Sequence, residues 1–104
     1  MTDAELLDAL RDCYDTLQQR NVVELGLVQH ATVELDRDAP GANVRGVPQR
    51  YIARVTLRAP GSDEIRNEQL RAQIENRLAG LPEISRTEVK MVPPVFPILS
   101  QPRL

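Results

Sequence analysis

The pattern that most constrains the fold is a strand–helix–strand unit in the second half of the chain. Apolar and polar residues alternate over residues 51–58 and again over residues 84–92, as in strands with one buried face. Gly80 followed by Pro82 predicts the end of a helix between them. The apolar stripe of that helix is Leu70, Ile74 and Leu78. Because a helical crossover joins the two strands, we expect them to be parallel.

The first half of the chain predicts one further helix and one further strand. Thr2 and Glu5 form a T-x-x-E capping box, which predicts a helix over residues 3–18. The buried stripe of this helix is Leu6, Leu10, Cys13 and Leu17. Apolar residues at alternate positions then predict a strand; they are Leu27, Ala31, Val33 and Leu35. We expect this strand to pair antiparallel with residues 51–58.

Two segments lack a regular pattern. Residues 36–50 combine Pro, Gly and Asn with charged side chains, which indicates a long mobile loop. Residues 93–104 contain four prolines and predict an extended tail. The tail is apolar around Val95 and Phe96, so we expect it to dock either on its own subunit or on a partner.

These elements predict one small α/β domain. The 104 residues suffice for a single domain, which we place at residues 1–104. The order helix–strand–strand–helix–strand predicts an α+β two-layer arrangement, with a small mixed three-stranded sheet packed against helices. Hydrophobic residues make up 41% of the chain and aromatic residues only 3%, so aliphatic side chains must fill the core.

Composition narrows the classes of partner. Thirteen Lys and Arg oppose fifteen Asp and Glu, and the net charge of -2 supplies no field that would attract nucleic acid. No apolar run approaches the roughly 18 residues of a membrane span. Residues 1–10 are acidic and amphipathic, unlike a secretory signal. We therefore expect a cytoplasmic protein that binds neither nucleic acid nor membrane.

The residues that most often carry chemistry are few. Cys13 is the only cysteine, and its position on an apolar helical stripe indicates core packing. His30 has no second His or Cys at ligand spacing, so we expect a solvated strand residue. The hydrolase, nucleotide-binding and metalloprotease motifs are all missing from the sequence. We expect no catalytic residue, no metal ligand and no enzymatic activity.

Two polar segments are candidate binding sites. The turn before the second helix consists of Pro60, Gly61, Ser62 and Asp63. We expect Ser62 to cap that helix, whose N-terminus could also hold an anion or a cluster sulfide. Asp15 and Glu24 flank the loop after the first helix. If the fold brings them near Ser62, they could be oxygen ligands of a metal or contacts with a partner; turn formation and solvation explain them as well.

Several short stretches match, in order and spacing, the motifs of one protein family. Y-D at residues 14–15 and N-V-V-E-L-G-L-V at residues 21–28 are similar to Y-D-P-E and N-I-V-D-L-G-L-V. T-L-R-A-P-G-S at residues 56–62 is similar to T-L-T-x-P-G-C. L-P-E-I at residues 81–84 and P-P-V-F at residues 93–96 are similar to L-P-G-V and a P-P-W tail. The chain thus resembles the metal–sulfur cluster biosynthetic family, which includes SufT-like factors of the SUF system and PaaD-like proteins.

The resemblance implies a role in assembling clusters on client proteins, without turnover of a small substrate. The implied partners are the cluster-assembly machinery or an apo client, with a transient iron–sulfur cluster as cargo and no resident cofactor. The family's reactive cysteine is Ser62 here, and an alcohol is a poor ligand for iron. Our leading hypothesis is an accessory factor in iron–sulfur cluster assembly or metalloenzyme maturation that acts through protein contacts. The alternative is a binding or structural module, such as a homodimer or other homo-oligomer, that keeps the fold without cluster ligation.

Overall fold

In the computed structural model, which describes residues 1–94, the chain forms two helices, a three-stranded sheet and a short hairpin. The elements are α1 (Asp3–Leu10), β1 (Tyr14–Asp15), β2 (Arg20–Asn21), β3 (Val28–Leu35), β4 (Tyr51–Arg58), α2 (Glu64–Ala79) and β5 (Ile84–Val92). Val95 and Phe96, the predicted contacts of the tail, lie outside the described residues.

The three-stranded sheet has β4 at its centre and confirms the predicted mixed topology. β3 pairs with β4 antiparallel, and Val33 lies opposite Ala53. β5 pairs with β4 in parallel, and Thr87 lies on the other side of Ala53. The two strands are parallel because α2 carries the chain back to the end of the sheet at which β4 begins.

Both helices pack on one face of the sheet and form the core there. The side chains of Ala53, Val55 and Leu57 on β4 are buried against them. Leu6 and Leu10 of α1 and the stripe Leu70, Ile74 and Leu78 of α2 complete this core. The predicted stripe of α2 is therefore confirmed, as is the burial of Cys13. Within residues 1–94, neither helix has the length and apolar content to cross a membrane.

The opposite face of the sheet carries charged side chains. Arg54 on β4 lies between Glu34 on β3 and Glu88 on β5 and forms an ion pair with each. The Nε of Arg54 donates to Oε1 of Glu88 at 3.0 Å. His30 is exposed on β3, as predicted.

The first helix is shorter than its apolar spacing predicts. It ends at Leu10, with Arg11 as its C-cap, instead of continuing to residue 18. Leu6, Leu10 and Cys13 are buried as expected, but 74% of Leu17 is exposed. Residues 14–21 form a hairpin in which Tyr14 lies opposite Asn21. The extended backbone prevails because side chains of α2 bind it, as described below.

The long segment between β3 and β4 is a series of turns whose two ends are tied together. The backbone N–H of Asp36 donates to the carbonyl of Arg50 at 2.9 Å. The Asp36 carboxylate accepts from the Ser85 hydroxyl at 2.5 Å, which links the loop to the start of β5. The predicted mobility of residues 36–50 stays a prediction.

Candidate functional site

The turn between β4 and α2 ends in an aspartate that caps the helix. Oδ1 of Asp63 accepts from the backbone N–H of Ile65 at 3.0 Å and of Arg66 at 3.2 Å. Ser62 precedes this cap and is exposed. The prediction that Ser62 caps α2 is therefore wrong. Asp63 has the extended backbone of an N-cap and a carboxylate that reaches two amides, which leaves Ser62 one residue too early.

Side chains from the first turn of α2 fold back over Gly61. Nδ2 of Asn67 donates to the Gly61 carbonyl at 3.0 Å. The guanidinium of Arg66 lies beside the same residue, since a Cβ on Gly61 would be 3.6 Å from its Nη1. The main chain of the turn is thus held in place, and the side chain of Ser62 faces solvent.

Asp15 is joined to this turn through Arg66. Nε of Arg66 donates to Oδ1 of Asp15 at 2.8 Å, and Nη2 contacts Oδ2. The backbone N–H of Gln18 also donates to Oδ2, at 3.1 Å. Asp15 is only 1% exposed. The bonds from Arg66 hold the pKa of Asp15 below its usual value, and the same pairing raises the pKa of Arg66.

One further pair of polar contacts holds the hairpin along α2, and another contact holds Asp12 just before it. Gln73 pairs with the main chain of Tyr14 as a neighbouring strand would: the Tyr14 N–H donates to Oε1 at 2.7 Å, and Nε2 donates to the Tyr14 carbonyl at 2.9 Å. Nη2 of Arg77 lies 2.8 Å from Oδ2 of Asp12. Sequence reasoning missed Arg66, Gln73 and Arg77. These three residues are seven and four positions apart, so they lie along one side of the helix beside the apolar stripe. That spacing could have identified the side of α2 on which the hairpin packs.

Glu24, the second predicted acidic residue, organises its own turn. It accepts from Nδ2 of Asn21 at 2.6 Å, and its N–H donates to Oδ1 of the same residue at 2.8 Å. Arg20 lies 3.7 Å from its carboxylate. None of these contacts reaches the turn at residues 60–63. The structure therefore joins Asp15, and not Glu24, to that turn.

We call residues 14–17 and 62–66 together the hairpin–helix surface. A groove of about 260 Å³ runs between the hairpin and α2, lined by Asp15, Arg66 and Gln73 among others. Two large apolar side chains project from the same pair of segments: Leu17 is 74% exposed and Ile65 is 73% exposed. Exposed apolar groups around a polar centre suit contact with another protein.

The groups that ordinarily ligate soft metals do not converge here. Cys13 is fully buried, and burial raises the pKa of its thiol to about 11. Within residues 1–94, no three side chains among His, Cys, Asp and Glu lie close enough together to hold a metal ion. Ser62 contributes an alcohol, which is a weak ligand near neutral pH.

Comparison with known proteins gives a likeness of fold. No protein-family model matches the chain, and no curated protein matches it. Among solved structures, the chain is similar to the crystal structure of a domain of unknown function, DUF59, from Bacillus anthracis. The two share 21% sequence identity and superpose with a TM-score of 0.67, over 90% of this chain and 78% of that one. This likeness shows that the chain has the fold of the DUF59 domain.

Proposed function

We propose that this protein is a cytoplasmic accessory factor in iron–sulfur cluster assembly or metalloenzyme maturation, acting through protein contacts and without catalytic turnover. The observation that carries the proposal is the contact between Asp15 and Arg66. It joins the Y-D stretch at residues 14–15 to the helix that directly follows the T-L-R-A-P-G-S stretch at residues 56–62, and both of these stretches resemble motifs of the metal–sulfur cluster biosynthetic family. The fold likeness supports it, because the DUF59 fold family includes SufT-like and PaaD-like proteins.

The hairpin–helix surface is where we place the contact with a partner. Leu17 and Ile65 supply exposed apolar area, and the buried Asp15–Arg66 pair keeps the two segments that carry them together. The partner would be an apo client or a component of the assembly machinery. The cluster is cargo in this scheme and is ligated by the partners, because Ser62 offers no thiolate.

Cluster transfer tests the proposal directly. An iron–sulfur donor is incubated with an apo client, with and without this protein, and client activity is followed over time. We expect faster transfer with the native protein and a loss of that effect in Leu17→Asp/Ile65→Asp. As a matched control, Val44→Asp adds charge at another exposed apolar residue, distant in sequence, and should keep the effect. Equal transfer with and without the native protein would contradict the proposal.

Anaerobic reconstitution with iron and sulfide tests the scaffold. We expect Ser62→Cys to gain visible absorption and bound iron that the native protein lacks, since a thiol at this turn is exposed to solvent. His30→Cys places a thiol at another exposed position and should gain neither. Cys13 does not interfere, because it is buried. Cluster uptake by both thiol variants, or by neither, would show that a thiol at this turn binds a cluster no better than a thiol at residue 30.

The presence of Ser62 also favours a second candidate, a binding module with no metal role. In that case a pull-down from cell extract recovers no cluster-assembly component, and the transfer assay shows no effect. The two functions therefore differ in a measurement that can be made on the native chain.

A further inference from the structure

We infer that the outer edge of β5 pairs antiparallel with β5 of a second copy, so that one sheet continues across the two molecules. The inference does not depend on the proposed function, because it concerns the edge of the sheet and not the hairpin–helix surface.

The two edges of the sheet differ in how they are covered. At the β3 edge, Oδ1 of Asp3 from α1 accepts from the backbone N–H of Val33 at 2.9 Å. At the other edge, β5 pairs with β4 alone among the described residues. β5 has nine residues, which is long for a strand left open at the edge of a sheet.

The backbone groups that β5 presents outward can be assigned from its bonds to β4. The Val92 carbonyl accepts from the Ala59 N–H at 2.8 Å, so Val92 faces β4. Because successive residues of a strand direct their N–H and C=O groups to opposite edges, Thr87, Val89 and Met91 present theirs outward. Pro93 is the next residue in this series and has no N–H, which ends the edge.

The side chains along this edge are partly apolar. Val89 and Met91 are half-buried under α2. They help to line the grooves beside α2, one of about 420 Å³ containing Val89 together with Arg71 and Glu75. A strand added at the edge would cover part of these two side chains.

The charges of β5 select a second copy as the strand that is added. Arg86, Glu88 and Lys90 alternate in sign on the open face of the sheet. Antiparallel pairing centred on Val89 places each Glu88 opposite Lys90 of the second copy, which gives two ion pairs. Pairing centred on Glu88 would place like charges opposite one another. Pairing centred on Thr87 would match Arg86 with Glu88 but would leave Met91 at the end of the ladder, so we assign the register centred on Val89.

Charge reversal tests both the contact and its register. The full chain is measured by sedimentation equilibrium from about 1 to 200 μM. We expect a dimer whose Kd rises at least about tenfold in Lys90→Glu, because two like-charge pairs then oppose association. Arg86→Glu should leave the Kd within about twofold, since Arg86 faces Val92 in this register. The double variant Glu88→Lys/Lys90→Glu restores opposite charges and should recover the dimer. Circular dichroism establishes that each variant is folded.

Hydrogen exchange on the native chain supplies a test without substitution. The amides of Thr87, Val89 and Met91 should become protected as protein concentration rises, while amides at the β3 edge do not change. A monomer at every concentration would overturn the inference. So would a dimer weakened equally by Arg86→Glu and Lys90→Glu, or one lost only when the chain is shortened to residue 94, which would make the segment from residue 95 onward the contact.

Discussion

Asp15 is a buried carboxylate with both of its oxygens engaged. Oδ1 accepts from Arg66, and Oδ2 accepts from Arg66 and from the main chain of Gln18. A carboxylate held in this way is poorly placed to ligate a metal ion. Its role in the site is to fix the hairpin against the first turn of α2, which makes it a positioning residue of the hairpin–helix surface.

We expect Asp15→Asn to lower the free energy of unfolding by about 2–4 kcal/mol, because it leaves the largely buried guanidinium of Arg66 without its counter-charge. Urea denaturation followed by circular dichroism measures this. Asp15→Leu combined with Arg66→Met should recover much of the loss, since removing both charges costs less than removing one.

Asp12→Asn is the matched control, because it removes a carboxylate from the exposed pair with Arg77. Asp12 and Arg77 are 62% and 38% exposed at their side chains, and the substitution should cost less than about 1 kcal/mol. Equal losses for Asp12→Asn and Asp15→Asn would show that burial does not strengthen the Asp15–Arg66 pair.

Predictions for single residues are confirmed where neighbouring residues in the sequence determine burial or helix capping. Cys13 lies on an apolar stripe and is buried, and the Thr2–Glu5 capping box is present. The helix cap at residues 62–63 was assigned to the wrong member of the pair. Ser and Asp have similar N-cap preferences, so residue type alone does not show which of the two caps the helix. The choice depends on the residue at which the backbone first becomes helical, and here that residue is Glu64.

At the scale of elements, the hairpin of residues 14–21 is the least predictable part of the structure. Its two strands have two residues each, and a hairpin of this size has little stability alone. Its contacts with α2 join residues 51 and 59 positions apart. A search for local periodicity cannot detect them, and the apolar spacing of Leu10, Cys13 and Leu17 favours a continued helix instead.

Gln73→Ala should loosen the hairpin more than the rest of the fold. It removes both bonds to the main chain of Tyr14, and we expect the free energy of unfolding to fall by about 1 kcal/mol. Amides of residues 14–21 should exchange faster than those of β4. Gln69→Ala is the matched control, because Gln69 lines the same groove and is exposed. A uniform increase in exchange across the chain would contradict a local role for Gln73.

At the scale of the whole molecule, the second half of the chain was predictable because its apolar residues repeat at the spacing of a strand or of a helix. β4, α2 and β5 begin and end within a few residues of the predicted bounds. Their pairing followed from connection rules and needed no long-range information. Two of the contacts that tie these parts to the remaining segments are made by carboxylates. Asp15 joins the hairpin to α2, and Asp36 joins the loop at residues 36–50 to β5.

These two carboxylates make the fold sensitive to acid. Hydrogen bonds from Arg66 lower the pKa of Asp15, and a hydrogen bond from Ser85 lowers the pKa of Asp36. Each therefore stabilises the folded state above the unfolded pKa of about 3.9, and this contribution is lost as the pH falls through the lower folded value. We expect urea midpoints that are nearly constant from pH 7 to about 5 and that decline below about pH 4.

The share of this decline that belongs to Asp15 can be separated by substitution. Asp15→Asn should lower the urea midpoint at pH 7 and flatten the decline in acid, because the variant has one carboxylate fewer to protonate. Asp38→Asn, which neutralises an exposed aspartate, should keep the native acid dependence. If Asp15→Asn lost stability at pH 7 but declined in acid as steeply as the native protein, Asp15 would contribute through packing and shape. Its charge would then not be the source of the acid sensitivity.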